Sequence, residues 1–475
     1  MLVRNLRARH LNMIALGGSI GTGIFLASGY AIHIAGPGGA LVAYSLIAIM
    51  VYFLITSLGE MATHRPTTGS FCEYSSRYVD PSFGVAMSYN YWFNWAITIA
   101  AEISAATIIM KYWFPDISAV MISALFFGLV FFVNLFSVRV YGETEYWMSF
   151  LKVAVIVVFI ILCCFLISKK SEFGIANFTI ADGPFHNGWL GFASVFLIAG
   201  FSFQGSELIG IGAGEVKDPE KSIPKAVRTI FWRLVLFYVL TTLFISLLVP
   251  FNSPALANQE SVDSSPFTLV FQSYFGYGFA TNLINTIILV AVVSAANASM
   301  YASTRTLWYM GTTGQAPKFF SKTTKYGLPV YALLATATIG SVIFLSSLIG
   351  NGRMFTILLT ISALCGFIAW FGIALSHYCF RKYHLKGDLS ALKYKAKLFP
   401  YAPVIAMVMI VVIVAGQIYT LTGDITIGVI LQQYGALIVF IAIIVLHKIF
   451  SKKHMQIVDD KVTWVGAETE KLPIK

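Results

Sequence analysis

Two glycine-rich interruptions of apolar sequence carry backbone groups that can bind a zwitterion. The first reads GGSIGTG over residues 17–23, and the second reads FSFQGSE over residues 201–207. A helix inside hydrocarbon cannot leave backbone groups unpaired unless they line a cavity, so a pair of such breaks indicates a substrate site. Close helix packing through small residues is the alternative explanation. The four glycines of the first break and the carboxylate of the second favour the site.

The first break is predicted to hold a carboxylate. Backbone N–H groups near a helix end bind anions through oriented donors and the helix dipole. Glycine lets the unwound chain adopt unusual dihedral angles and lets a ligand approach closely. The residues assigned to this role are Gly18, Ser19, Gly21, Thr22 and Gly23, and the two hydroxyls are additional donors.

The second break is predicted to hold an ammonium group. Unwound carbonyls at Phe201, Ser202 and Gln204 are its acceptors, and Phe201 is also a candidate gate. Glu207 follows at membrane depth, where an ionisable residue is costly and is therefore a functional candidate. A protonated structural acid is the alternative for Glu207. A carboxylate site and an ammonium site together describe an amino acid.

Two further ionisable residues fall inside apolar segments. Lys152 can stand where a coupled sodium ion would sit and can load and release a proton, or its side chain can extend to the cytoplasmic interface. Glu102 can meet the substrate, carry a proton or pair with another polar residue. Position alone leaves both interpretations of Lys152 open, whereas a structural or proton-linked role is favoured for Glu102.

Aromatic and polar side chains nearby are weaker candidates. Tyr91 and Trp95 lie four residues apart on one helix face and can close a pocket, although aromatic residues are common at membrane interfaces. Asn297, with Ser294 and Ser299, can line a path or form hydrogen bonds between helices.

The composition requires a membrane around these segments. The 475 residues are 57% hydrophobic and only 11% charged, and the mean hydropathy is +0.78. No soluble globular domain of this length has such a composition. Apolar runs of about 20 residues, the length of a membrane span, begin near residues 13, 40, 85, 119, 146, 189, 230, 281, 331, 354, 404 and 429. We therefore predict an all-α integral membrane protein with twelve transmembrane helices.

The net charge of +11 indicates topology rather than nucleic-acid binding. If the N-terminus is cytoplasmic, 27 of the 32 lysines and arginines, Arg233 among them, fall in loops and tails on that side. This asymmetry follows the positive-inside rule and places both termini in the cytoplasm. Attraction to anionic membrane lipid is a secondary consequence.

The two breaks divide the spans into matching blocks. Residues 13–188 are assigned to a first repeat of five spans, and residues 189–403 to a second. Spans 11 and 12 occupy residues 404–449, where dimer contact and bracing are both possible roles. Residues 1–12 and 450–475 are assigned to cytoplasmic tails.

The sequence lacks the motifs of several enzyme classes. Neither HExxH nor GxxxxGK[ST] occurs, and no nucleotide-binding domain of a primary pump fits in the chain. The five cysteines have no CxxC spacing, so neither a zinc site nor a disulfide framework is expected. We predict a protein that is not an enzyme and has no cofactor or metal.

Longer segments resemble the bacterial amino acid permeases of the amino acid–polyamine–organocation superfamily, and most closely their lysine-specific members. The similarity runs nearly end to end. The segments that carry it are residues 8–11, 17–23, 57–60, 90–96, 200–211, 265–272, 301–305 and 368–372.

The resemblance implies a leucine-transporter-like fold, with a 5+5 inverted repeat, broken helices 1 and 6, and alternating access. It also implies uptake with protons across the bacterial inner membrane. By resemblance, Lys152 matches the lysine of span 5 in the vacated sodium site, and Glu207 matches the acid of the broken sixth helix. The matching positions tied to binding or gating are Tyr91, Trp95, Phe201, Glu215 and Asp263.

The sequence therefore predicts a proton-coupled importer of L-lysine or a close basic amino acid. A permease or exchanger for arginine, histidine or an aromatic amino acid is the alternative within transport. A transporter that also senses lysine through a membrane-bound regulator is a third possibility. The expected partners are the small-molecule substrate and membrane lipid, without nucleic acid, and the expected state is a monomer or a homodimer.

Overall fold

A computed structural model describes most of the chain. The described residues are 20–135, 138–169, 174–216, 218–258, 261–325, 327–421, 426–451, 453–458 and 461–466. Gly18 and Ser19 of the predicted carboxylate site lie outside them.

Helices make up most of the described residues. Their bounds are α1 Ser28–His64, α2 Ser70–Tyr78, α3 Pro81–Met110, α4 Ala119–Asn134, α5 Val138–Lys169, α6 Gly188–Phe203, α7 Leu208–Gly212, α8 Pro219–Arg233, α9 Thr241–Leu248, α10 Pro254–Ala257, α11 Pro266–Phe275, α12 Phe279–Thr313, α13 Val330–Gly340, α14 Ser346–Ile349, α15 Asn351–Cys379, α16 Tyr401–Gly416 and α17 Ile427–Phe450. Short 3₁₀ or π-helical turns span Gly23–Ala27, Ile175–Phe178, Ala213–Glu215, Leu234–Leu240, Val262–Ser264, Lys318–Ser321, Ser341–Leu345, Phe380–His384 and Gln417–Thr420.

Ten helical stretches in the described part of the chain are long and apolar enough to cross a membrane. The first, Gly23–His64, is 42 residues long and contains the region where two spans are predicted. Ala119–Asn134 is apolar but shorter than the other ten. The predicted integral membrane architecture of apolar helices is confirmed at this level.

The sequence GPGG at residues 36–39 forms a kink inside α1. Gly36 has φ +73°, a left-handed conformation that favours glycine. The N–H groups of Gly38 and Gly39 donate to the carbonyl oxygen of Pro184 at 2.9 and 3.1 Å. A Cβ on Gly36 would lie 2.6 Å from the same oxygen. The loop before α6 therefore pairs the backbone groups that the kink leaves free.

The core is arranged around α3. This helix packs most extensively against α12 and α15, while α1 packs against α6. In the 18-residue apolar stretch of α3, 89% of the residues are buried inside the protein, whereas in the corresponding stretch of α17 the share is 6%. The elements that contain the two predicted breaks therefore lie inside the bundle, and α17 lies at its periphery.

A two-stranded sheet follows the last helix. Strand β1 covers Lys453–Val458 and pairs antiparallel with β2, Lys461–Gly466. The sequence analysis predicted a tail here and no strands. Strand β2 contacts α2 and α12, so this part of the tail packs against the bundle.

A buried ion network joins α1 to α15 at the end of the bundle where α1 terminates at His64. The Glu60 carboxylate is fully buried and accepts hydrogen bonds from Arg381 Nε at 2.6 Å and Nη2 at 2.5 Å. His377 Nε2 lies 3.1 Å from the same carboxylate, and the N–H of Ala396 donates to it. Because each partner comes from a different segment, the network fixes the loop after α15 against α1.

Replacing Arg381 with alanine is expected to destabilise the protein by about 3 kcal/mol, because it leaves the buried Glu60 carboxylate without its bidentate partner. Reversible unfolding in mixed micelles measures the difference. Lys382→Ala changes the neighbouring exposed lysine and serves as the control, with an expected effect within about 0.5 kcal/mol. Equal unfolding midpoints for the two variants would show that the network contributes nothing to stability.

Candidate functional site

The first break contacts three helices of the core. Residues 20 and 21 are not helical, and helical structure begins at Thr22. A Cβ on Gly23 would lie 2.7 Å from Ser202 Oγ, and a Cβ on Gly21 would lie 2.9 Å from Ala295 Cβ. Glycine at both positions therefore allows this segment to approach α6 and α12 closely.

The Glu102 carboxylate of α3 accepts hydrogen bonds from Thr22, where the helical structure after the first break begins. Thr22 Oγ1 donates to Glu102 Oε1 at 3.0 Å, and the Thr22 N–H donates to Oε2 at 3.4 Å. Glu102 is 3% exposed. In this conformation the N–H and hydroxyl of Thr22, which are among the groups predicted to bind a substrate carboxylate, bind a carboxylate of the protein itself.

The second break lies between α6 and α7. Gly205 has φ +91° in the turn at residues 204–207, which requires the left-handed region. Gln204 Nε2 donates to the Ser362 carbonyl at 2.8 Å, and Gln204 Oε1 accepts from Asn94 Nδ2 at 3.1 Å. Ser362 Oγ also donates to Asn94 Oδ1 at 2.8 Å. These side chains attach the break to α3 and α15.

Glu207 faces a different set of donors from Glu102. Its carboxylate accepts from Trp370 Nε1 at 3.2 Å, from the Gly205 N–H at 3.3 Å and from Tyr91 Oη at 3.5 Å. Arg233 is 1% exposed and donates from Nη2 to Ser206 Oγ beside it. A buried arginine thus lies close to the break, although the topology count placed Arg233 in a cytoplasmic loop.

A small cavity lies between the two breaks. Its lining residues are Gly21, Gly23, Trp95, Thr98, Glu102, Phe201, Gln204, Ala295 and Ser299. The cavity measures 20 Å³, and one water molecule needs about 10–15 Å³. An amino acid therefore enters only if the surrounding helices separate.

The cavity divides the predicted binding residues into two groups. Lining residues include Gly21, Gly23, Trp95, Glu102, Phe201 and Gln204, whereas Thr22, Tyr91, Ser202, Glu207 and Asn297 lie outside the lining. Ser202 Oγ donates to the Ile198 carbonyl at 3.0 Å and lies 3.0 Å from Tyr44 Oη. The Phe201 carbonyl accepts from the Gln204 N–H at 3.2 Å. One of the predicted ammonium acceptors, the Phe201 carbonyl, is therefore already engaged in local structure.

Lys152 is buried in the middle of α5 and does not extend to the membrane surface. Its Nζ lies 3.7 Å from Glu145 Oε1, and the two side chains are 1% and 0% exposed. The Glu145 carboxylate also accepts from Ser294 Oγ at 3.0 Å and from Ser149 Oγ at 3.2 Å. Glu102 is close enough to interact electrostatically with the Lys152 ammonium. A buried cation thus lies among two buried carboxylates.

Aromatic rings pack edge to face on one side of the cavity. The Phe71 and Tyr91 ring centroids are 4.6 Å apart at 83°, and those of Tyr91 and Trp95 are 5.9 Å apart at 85°. Both are edge-to-face contacts, which aromatic pairs favour. The aromatic contacts therefore run from Trp95 in the cavity lining through Tyr91 to Phe71 of α2.

The other predicted residues lie away from the cavity. Asp263 precedes α11 and accepts from Gln272 Nε2 at 2.7 Å. The Glu215 backbone is in a 3₁₀ turn, and its side chain lies outside the described part of the structure. Asn297 Oδ1 accepts from Asn134 Nδ2 at 2.8 Å and so joins α12 to α4.

Several residues of this region were missed by the sequence analysis, and two had a readable signal. Glu145 lies seven residues before Lys152, which is two helical turns on the same face, but the predicted start of span 5 at residue 146 excluded it. Arg233 was an ionisable residue beside an apolar run, which indicates function by default. Asn94, Ser362 and Trp370 had no signal, because small polar or aromatic residues are common in such helices.

Comparison with known proteins identifies close relatives of the chain. Residues 10–459 match the sequence model of the family described as Amino acid permease. Lysine-specific permease LysP of Escherichia coli (strain K12) is 49% identical over 88% of this chain and 87% of its own length. LysP of Lactococcus lactis subsp. cremoris (strain MG1363) is 49% identical over 87% and 83%. Histidine permease HisP of the same strain is 48% identical over 86% of each chain.

Gly23→Ala is expected to lower the free energy of unfolding by about 1–3 kcal/mol, because the new methyl group overpacks against Ser202. Thermal unfolding of the purified protein in detergent measures the effect as a lower midpoint. Gly128→Ala in α4 is the matched control, since nothing lies within 4 Å of a Cβ there, and it should leave the midpoint unchanged or raise it. An unchanged midpoint for Gly23→Ala would mean that α6 moves away from the break without cost.

Proposed function

Because this chain belongs to the amino acid permease family, we propose that it imports L-lysine, or a closely related basic amino acid, together with protons. Family membership and the ten apolar helices make it a multi-pass membrane protein whose substrate is an amino acid. The family consists of permeases, which are transporters and not enzymes and typically need no cofactor. The coupling ion, the direction of transport and the particular amino acid belong to the proposal.

The proposed architecture has twelve spans in a 5+5 inverted repeat. The count of twelve adds two spans to the ten long stretches. One comes from dividing Gly23–His64 at the Gly36 kink, and the other is the shorter helix Ala119–Asn134. Support for the repeat comes from the two breaks, which begin the proposed blocks and lie side by side. The proposed location is the bacterial inner membrane, which the similarity to bacterial permeases supports, and the basic loops support cytoplasmic termini.

The observation that carries proton coupling is the buried cluster of Lys152, Glu145 and Glu102. If all three side chains are ionised, the cluster has a net charge of −1 in a region without bulk water. Uncompensated buried charge is costly, so binding of one proton to a carboxylate stabilises the cluster. Glu102 also lines the cavity. A substrate that binds there contacts the Glu102 carboxylate and changes its proton affinity.

Substrate binding is proposed to use both breaks. The N–H groups of residues 18–23, with the hydroxyls of Ser19 and Thr22, hold the substrate carboxylate in place of Glu102. Carbonyls at Phe201, Ser202 and Gln204 receive the α-ammonium once the turn at residues 204–207 opens. Glu102 then faces the side-chain ammonium of lysine, because it lines the cavity and Glu207 does not.

Alternating access is proposed to follow from the closed cavity. Trp95 and Phe201 are the aromatic residues of its lining, and Tyr91 packs against Trp95; these three residues are the candidate inner gates. Asp263 precedes α11 in a loop that packs on α1, since a Cβ on Gly29 would lie 2.5 Å from the Ser264 carbonyl oxygen. Asp263 and Glu215 remain predicted gating residues on the two sides of the site.

Histidine is the second candidate substrate, because the histidine permease HisP is almost as similar to this chain as the two lysine permeases are. Both amino acids share the backbone zwitterion, and they differ in the length and charge of the side chain. In this proposal Glu102 faces the substrate side chain, so the part of the cavity around Glu102 determines whether lysine or histidine binds more tightly.

Purified protein in proteoliposomes with an alkaline interior is expected to accumulate labelled L-lysine. Lysine or its close analogues should compete, because only they pair an ammonium with the buried carboxylate. Histidine and neutral amino acids should compete weakly, and a protonophore should abolish accumulation. Stronger competition by histidine would assign the second substrate, and accumulation that does not respond to the pH gradient would contradict proton coupling.

Lys152→Ala is expected to abolish proton-driven accumulation, because Glu145 and Glu102 lose their common cation. Lysine counterflow in the same proteoliposomes measures whether the variant still binds and exchanges substrate. Lys169→Ala, which removes an exposed lysine from the end of α5, is the control and should accumulate lysine normally. Full concentrative uptake by Lys152→Ala would exclude Lys152 from coupling.

A further inference from the structure

A basic cleft lies at the end of the bundle where α1 terminates, apart from the central cavity. It measures 720 Å³ and is formed by the end of α1, by α8 and by the loop between α15 and α16. Its lining residues are Tyr52, Phe53, Thr56, Arg228, Lys393, Tyr394, Lys395, Lys397 and Leu398. Four of the nine are cations, and none is acidic.

The lysines of the cleft occupy every second position of a short segment. Lys393, Lys395 and Lys397 are exposed, whereas Leu392 and Ala396 are 5% and 7% exposed. The Tyr394 ring lies against α1, since a Cβ on Gly59 would lie 3.5 Å from its Cε1. The three lysine side chains therefore lie on the exposed side of this segment, where they line the cleft.

The buried ion network described above holds this segment in place. The N–H of Ala396 donates to the Glu60 carboxylate, and the Ala396 carbonyl accepts from Arg381 Nη2 at 3.2 Å. Both backbone groups of the residue between Lys395 and Lys397 are therefore tied to the bundle. A fixed backbone reduces the entropy that is lost when the lysines bind a common anion.

Acidic groups neutralise only part of this charge. Lys393 forms an ion pair with Glu220, and both side chains are more than half exposed. Asp388 interacts electrostatically with Lys395 from the same loop, and its carboxylate accepts from the Ser390 N–H at 2.9 Å. The Glu60 carboxylate is fully buried and bound to Arg381. The cleft therefore keeps a positive surplus that suits an anion.

The other walls of the cleft are apolar and adjoin the hydrocarbon-facing surface. Tyr52 and Phe53 form one wall, and Leu398, 61% exposed, forms another. The Phe231 ring lies 5.3 Å from Tyr52, and Trp232 next to it is 63% exposed. Exposed tryptophan on a membrane helix is typical of the headgroup level.

We propose that this cleft binds the headgroup of an anionic membrane phospholipid. Its phosphate lies among Arg228, Lys393, Lys395 and Lys397, and an acyl chain runs along Tyr52, Phe53 and Leu398. Basic pockets between membrane helices recognise anionic headgroups in this way. The apolar walls favour a lipid over a free phosphate, because they would leave a small soluble anion partly uncontacted.

Native mass spectrometry of the detergent-solubilised full-length protein tests this site, with phosphatidylglycerol and phosphatidylethanolamine as the probes. The test variant is Lys393→Gln/Lys395→Gln/Lys397→Gln. The matched control is Lys318→Gln/Lys322→Gln/Lys325→Gln, which removes the same charge from exposed lysines of another loop. The wild type and the control should retain phosphatidylglycerol selectively. Retention by the test variant should fall roughly 100-fold, since each lysine near an anionic headgroup contributes a factor of about five.

Equal retention by the test and control variants would overturn the site, because the lipid would then respond only to overall charge. Displacement of phosphatidylglycerol by an equal concentration of inorganic phosphate would also overturn the proposal, in favour of a soluble anion. Arg228→Gln provides a second, single-residue variant if the triple variant is not monodisperse, and it should reduce retention about fivefold. Unchanged retention by Arg228→Gln would contradict the proposed phosphate position. None of these measurements depends on transport activity.

Discussion

A helix that is interrupted inside hydrocarbon must pair its free backbone groups within the protein, and the rest of this structure depends on that constraint. At the first break, Glu102 receives the N–H and hydroxyl of Thr22. At the second, the Gly205 N–H donates to the Glu207 carboxylate, and the Gln204 side chain joins the break to Asn94 of α3 and to Ser362 of α15. The helices α3 and α15 are among the more deeply buried spans of the described bundle, because pairing is possible only where protein surrounds the chain.

The same low-dielectric interior explains why the buried charges occur in groups. Lys152 lies beside Glu145, and Glu60 binds Arg381. A single charge at either position would be costly, whereas opposite charges with additional donors are tolerated. The two groups differ in one respect that matters for function. Glu60 has a bidentate partner and a backbone donor, while the Lys152 group has two carboxylates for one ammonium, and the proposed proton coupling rests on that imbalance.

Close packing keeps the site shut in this conformation. Gly21 and Gly23 let the first break approach α12 and α6, and the cavity between the breaks measures only 20 Å³. The aromatic contacts from Phe71 to Trp95 extend the closed region to α2. Opening of this cavity to a molecule larger than water requires movement of whole helices, because packed interiors shift between discrete arrangements and do not expand continuously.

The sequence by itself determined the membrane class, the approximate positions of the spans and the two breaks, because a hydrocarbon environment imposes length and hydropathy on every span. It also identified Lys152 and Glu102, because ionisable residues stand out in apolar segments. Tertiary structure alone decided that Glu102 lines the cavity and Glu207 does not, since this depends on how α3 and α6 are rotated against each other. It also decided the pairing of Glu60 with Arg381, which are 321 residues apart. Local periodicity is encoded within one helix, whereas the partner of a side chain is chosen by the packing of all of them.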